Sequence, residues 1–181
     1  MKDRIKFNDE MLAAVIDDRK TQTRRPADFK VREEGYNLNF SGLKSGFYCN
    51  GVPSSGFVLR SMGAGCWNDR TYPLHCPYGQ AGDVIPFADK DGNIKGEIEI
   101  VDVWLQQVQD ISEEDAIAEG VVTGRYGNEG NWLRGFYAPG GNQPHQNAKS
   151  AYSEIWRSIY GVDAWYKNPW CWVVEFKHIQ G

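Results

Sequence analysis

The sequence has no run approaching the ~18 to 20 consecutive apolar residues that a bilayer-spanning helix requires. Its start, MKDRIKFNDEM, also lacks the apolar stretch of a signal peptide. A soluble, unexported, cytoplasmic protein without membrane contact is the expectation. Histidine is scarce, and the four cysteines, Cys49, Cys66, Cys76 and Cys171, lie far apart with no Cys-x-x-Cys pair. That leaves no metal-ligand spacing and, in a reducing compartment, favours free thiols over a disulfide frame. Also missing are a Gly-x-Gly-x-x-Gly turn, a Walker loop and a Gly-x-Ser-x-Gly elbow, so neither metal nor cofactor is expected. Nor is there an excess of positive charge: 20 Lys and Arg stand against 24 Asp and Glu, a formal charge of −4. This excludes the blanket basicity of a histone-like coat and leaves room for a local basic pocket.

What is present is an ordinary globular composition, 41% apolar and 24% charged over 181 residues, the size of one domain. Met11, Leu12, Val15 and Ile16 recur at helical spacing behind Asn8 and Asp9, which predicts a helix over 8–19. Lys20 to Pro26 follows as a short strand or extended turn that the proline ends. Residues 27–76 read as an irregular insertion with a hairpin, strand segments being plausible at Gly46–Cys49 and Gly56–Leu59. A turn over 77–83 leads into the apolar run Val84–Phe87, then a hairpin tip at Asp91-Gly92-Asn93 and a strand from Glu97 to Gln109. Ser112-Glu113-Glu114-Asp115 opens a short helix that Gly120 closes. Residues 122–148, rich in Gly, Asn, Gln and Pro, read as a mobile loop. Tyr152, Ile155, Trp156 and Ile159 mark a helix ended by Gly161, and a C-terminal strand opens after Pro169, with Trp170, Trp172, Val174 and Phe176 on one face. The sum is a single α+β domain over 1–181, with a small antiparallel, barrel-like sheet, flanking helices and two insertions.

The densest polar cluster is Lys20, Thr21, Thr23, Arg24 and Arg25, whose donors suit a phosphate or a polarised carbonyl. Its alternative is a cationic helix C-terminus followed by a solvated strand. Thr23 is a nucleophile only if a neighbour takes its proton. Lys20 is the nearest base and would have to sit in the turn, because residues three apart on one strand face opposite ways. Glu119, in the last turn of the short acidic helix, faces the negative end of the helix dipole, a place where a carboxyl can shuttle protons; a surface glutamate is the alternative. In the 122–148 segment, Arg125, Trp132 and Arg134 lie without period, as in a base-stacking loop, or in a loop that packs its own aromatics.

At Arg19-Lys20-Thr21-Gln22-Thr23-Arg24-Arg25-Pro26 the chain resembles the opening motif of ASCH-domain proteins, a branch of the PUA-like superfamily. The resemblance continues at Tyr78–Asp83, at Asp110–Gly120, at Ser158–Gly161 and at Asn168–Phe176, and is to phage and prophage proteins. It implies a small twisted PUA-like β-barrel around a ligand cleft that takes a nucleobase, a modified nucleoside or RNA. Small bacterial members include amidohydrolases that release acetate from N4-acetylcytidine, with a Lys, a Thr and a Glu that match Lys20, Thr23 and Glu119. The resemblance thus implies Lys20 as base, Thr23 as nucleophile and Glu119 as the group that activates water or protonates the leaving amine, with Arg25 or a backbone N–H at the oxyanion. Where phage relatives commonly carry Trp-Val-Arg-Glu, this chain has Ile85-Pro86-Phe87-Ala88. The expected partner is a nucleoside or single-stranded nucleic acid. The alternatives are a non-catalytic RNA- or DNA-binding module, with residues 125–137 closing over a strand, and a phage protein that binds a host factor.

Overall fold

A computed structural model describes residues 2–26, 43–44, 57–63, 66–72, 76–126, 133–141 and 143–179. Each of the longer helices starts at a side-chain cap that satisfies an otherwise orphaned N–H. Helix α1 (Asp9–Ile16) is capped by Asn8, α2 (Glu113–Ala118) by Ser112 and α3 (Ala148–Tyr160) by Asn147. Glu113 also accepts from the backbone N–H groups of Ala148 and Lys149, both at 2.8 Å, so the first residue of α2 holds the start of α3. Gly161, at φ 101°, ends α3, and a short helix not anticipated from the sequence, α4 (Val162–Tyr166), follows at once.

The main sheet is built on the long strand β7 (Ile94–Gln107). One side of it pairs antiparallel with β10 (Trp170–Ile179), whose other edge takes β2 (Gln22–Pro26). The other side pairs with β6 (Val84–Ala88) along its first half and with the two-residue β3 (Leu43–Lys44) near its end. The two-residue β1 (Ile5–Lys6) adds to β6 in parallel, which gives six strands in a curled, antiparallel-rich half-barrel. Register shifts at Glu175/Phe176 and at Phe87/Ala88 are the bulges that bend it. At the first of them Val101 of β7 is left without a partner across from β10, and Cys171 to Val174 are all buried, so both faces of β10 are covered there. Among the described residues Trp156, Phe87 and Phe176 are the largest enclosed side chains, each contributing about 1.5–3 kcal/mol of burial.

The insertion hairpin is present as β4 (Phe57–Gly63) and β5 (Cys66–Tyr72), in register from Phe57↔Tyr72 to Gly63↔Cys66. The strand segment expected at Gly46–Cys49 lies outside the described residues. The expectation of a mobile loop over 122–148 is corrected: β8 (Val122–Tyr126) and β9 (Leu133–Tyr137) form an antiparallel hairpin. Its period is hidden because Gly124 faces Gly135, and the Tyr137 ring fills the space where a Gly124 side chain would be, 3.0 Å from its Cβ position. Backbone bonds between Phe136 and His145 carry the pairing further. No described helix is long and apolar enough to cross a membrane.

Gly96 pairs with the buried Phe87, and a Cβ at Gly96 would stand 2.7 and 2.9 Å from the Phe87 ring. Gly96→Ala is therefore expected to lower stability by about 1–3 kcal/mol, read as a lower denaturant midpoint at unchanged slope. An unchanged midpoint would contradict this close packing.

Candidate functional site

The chain reaches the site by a tight exit from α1. The N–H groups of Arg19 and Lys20 both return to the Ala14 carbonyl, at 2.9 and 3.0 Å. Thr21 then donates from its N–H to Ala118 O at 2.7 Å and accepts from Phe176 N at 2.8 Å, so its backbone joins the end of α2 to β10. Lys20 therefore lies in the turn ahead of β2, the condition its pairing with Thr23 required. Glu119 is the C-cap of α2, and Gly120, at φ 112°, turns the chain away immediately behind it.

These two segments meet in a buried ion cluster. Lys20 Nζ donates to Glu119 Oε2 at 2.7 Å, to Glu119 O at 2.9 Å and to Gln22 O at 2.8 Å, which occupies all three of its donors. The second carboxylate oxygen, Oε1, accepts from Arg24 Nη1 at 3.0 Å. Arg24 extends the cluster through Nη1 to Gln22 Oε1 at 3.0 Å and through Nη2 to Gln106 Oε1 at 2.9 Å and Asp115 Oδ2 at 3.4 Å, while Gln22 Nε2 donates to Asp115. Lys20, Arg24 and Glu119 are each no more than 3% exposed. Burial drives the Lys20 pKa below the usual lysine range, and the Glu119 carboxylate opposes the fall. For Arg24 burial likewise works against the charge, but Glu119 and the neighbouring Tyr152 and Cys171 together outweigh it and the pKa ends above its ordinary value.

The cluster forms part of the wall of a cavity of about 230 Å³. Lys20, Thr23, Arg24, Arg25 and Glu119 all line it, and Phe7, Tyr152, Trp156 and Tyr160 supply aromatic surface. The Thr23 hydroxyl accepts from Arg25 Nε at 3.1 Å, and Arg25 Nη2 donates to Lys6 O at 2.7 Å. The Arg25 guanidinium lies 5.3 Å from the Phe7 ring centre and 5.8 Å from that of Tyr78. Tyr152 is enclosed, and burial followed by the Glu119 carboxylate pushes its phenol well above the ordinary value, so it stays protonated. Arg24 Nε and Trp156 Nε1 are buried without an acceptor among the described residues, a cost of about 1–3 kcal/mol each that the rest of the core offsets.

Of the residues singled out from the sequence, Lys20, Thr23, Arg24, Arg25 and Glu119 share this one cavity. Thr21 is not in its lining; its backbone makes the link just described. Arg125 and Arg134 sit opposite each other in the β8–β9 hairpin, but their side chains, like all of Trp132, lie outside what is described. Sequence reasoning missed Phe7, Tyr152, Trp156 and Tyr160 as cavity walls, and Gln22 and Asp115 as members of the cluster. The helical spacing of Tyr152 and Trp156 was the available signal, and it marks a buried face without telling core from cavity. Ile85, Phe87 and Ala88 are core residues of β6. The described free thiols are buried, Cys76 raised and Cys171 pushed up to about 12, so neither is a nucleophile. Comparison with protein-family models, curated proteins and solved structures finds no match to this chain.

Replacing Glu119 by Gln leaves Lys20 and Arg24 as buried cations without their counter-charge. The variant is expected to lose about 3–5 kcal/mol of stability by denaturant unfolding. A loss below about 1 kcal/mol would match an exposed surface pair and contradict the buried cluster.

Proposed function

We propose that the chain is an ASCH-domain, PUA-like protein of the phage type whose cavity receives a nucleobase or modified nucleoside and hydrolyses an N-acyl group from the base amine. One observation carries the reading: Lys20, Thr23 and Glu119, the last two 96 positions apart in the chain, line one cavity. Its volume of about 230 Å³ and aromatic walls fit a single planar base. The curled antiparallel-rich sheet is compatible with the barrel that the resemblance implies.

The proposed chemistry starts from the Lys20–Glu119 ion pair. A proton crosses the 2.7 Å bond from Nζ to Oε2, leaving a neutral amine and a neutral acid, and burial favours that exchange. Lys20 releases the Gln22 carbonyl and takes the proton of Thr23, whose oxygen attacks the acyl carbon. Arg25, whose Nε reaches the Thr23 oxygen at 3.1 Å, is the donor best placed for the oxyanion. Collapse expels the base amine, which takes the Glu119 proton and leaves the acyl group on Thr23. In the second half Glu119 accepts a proton from water, the hydroxide attacks the acyl group, and Thr23 departs with a proton from Lys20. Transfer back from Glu119 to Lys20 restores the pair, so one water is consumed for each amide cleaved.

With N4-acetylcytidine as substrate and chromatography as the readout, free cytidine is expected from the intact protein. Thr23→Ala is expected to lower turnover by about 10³-fold or more. Absence of product with N4-acetylcytidine and related N-acyl nucleosides would exclude the amidohydrolase. Because the chemistry needs one proton shared between Lys20 and Glu119, turnover is also expected to fall at alkaline pH along a limb whose apparent pKa lies below 10.5, the ordinary lysine value, as the pair loses that proton. Lys20→Arg should abolish that limb, and a limb that persists would remove Lys20 from the role of base.

A second reading, a binding module without turnover, is favoured by the occupation of all three Lys20 donors in the resting state. It would show saturable nucleoside binding with no product.

A further inference from the structure

The charge of the cavity opposes that of the chain. Lys6, Lys20, Arg24 and Arg25 stand in its lining against a single carboxylate, Glu119, in a protein of formal charge −4. Lys20 and Arg24 are committed to that carboxylate from either side, and Arg24 also pairs with Asp115 at 3.4 Å. Arg25 is not committed to any: among the described residues its acceptors are the neutral Thr23 hydroxyl and the Lys6 carbonyl, which use two of its five N–H donors. Its plane is oriented by Phe7 and Tyr78, and it is half-buried, so its unused Nη donors face a site partly shielded from water. Lys6, a residue of the lining, carries an exposed ammonium beside the Gly92 turn, 3.8 Å from where a Gly92 Cβ would stand. A neutral nucleoside leaves this surplus uncompensated, whereas an anionic group compensates it in partly shielded surroundings where the attraction exceeds its value in water.

We infer that the ligand is a pyrimidine nucleotide rather than a free nucleoside, its phosphate monoester held by the outer Nη groups of Arg25. The inference rests on the nucleoside reading above and narrows it. The base enters between Phe7 and the aromatic residues of α3 with its amine edge at Thr23, and the sugar and phosphate lie toward the mouth. Lys6 contributes through its field, so its effect is screened by salt, while the Arg25 contact persists.

Calorimetric titration of the intact protein with cytidine, cytidine 5′-monophosphate and inorganic phosphate tests this without requiring turnover. The monophosphate is expected to bind about tenfold or more tightly than cytidine, in line with a charge-assisted contact. Arg25→Gln should erase the preference and Arg25→Lys should retain part of it. Equal affinity for cytidine and its monophosphate would overturn the inference and leave the nucleoside reading standing. Binding of inorganic phosphate as tight as that of the monophosphate would overturn it by removing the base from recognition. Failure of all three to bind would defeat the inference together with the reading beneath it, and a preference that survives Arg25→Gln would move the phosphate elsewhere.

Discussion

The Glu119 carboxylate, enclosed between Lys20 and Arg24, is the interaction on which the arrangement of this protein depends. A lone carboxylate at the C-terminal end of a helix meets the negative end of the dipole, and an enclosed one also loses its hydration. Two cations, each donating a hydrogen bond to one of its oxygens, make the position tenable. The result joins α2 to β2, across 99 positions of sequence between Lys20 and Glu119, at the edge of the main sheet. Because Glu113, at the other end of α2, caps α3, the same short helix also sets the wall that Tyr152 and Trp156 provide.

A buried ion cluster of this kind is a poor source of net stability, since desolvation consumes most of its Coulomb energy. What it supplies is position: one carboxylate, one amine and one hydroxyl lining a small aromatic cavity, with the amine pKa lowered by burial. A proton that moves across a 2.7 Å bond within such a pair changes no net charge inside the protein, which keeps the exchange inexpensive in a low dielectric. The same enclosure holds the Tyr152 phenol protonated beside the pair, as a donor rather than an anion.

The elements that could be read from the sequence were those with a local signal. Asn8 and Ser112 announce their helices by capping chemistry, Pro26 ends β2, and Gly120 and Gly161 mark turns that side chains resist. Lys20, Thr23 and Glu119 were visible because each sits beside such a boundary. Three features were not visible. The β8–β9 hairpin has glycine opposite glycine where an alternating apolar pattern would stand, and the bulge opposite Glu175/Phe176 falls at Val101 of β7, which no turn residue marks. The roles of Gln22 and Asp115 depend on a tertiary contact between β2 and α2, for which one strand and one helix carry no periodic trace.

The most direct measurement is the alkaline titration of the Lys20 ammonium followed by nitrogen-detected NMR in the intact protein and in Glu119→Gln. The account predicts a midpoint below 10.5 in the intact protein and a displaced resonance and midpoint when the carboxylate is removed. A midpoint at the ordinary lysine value that is indifferent to Glu119 would mean that the pair is neither enclosed nor coupled, and the chemistry built on it would fall.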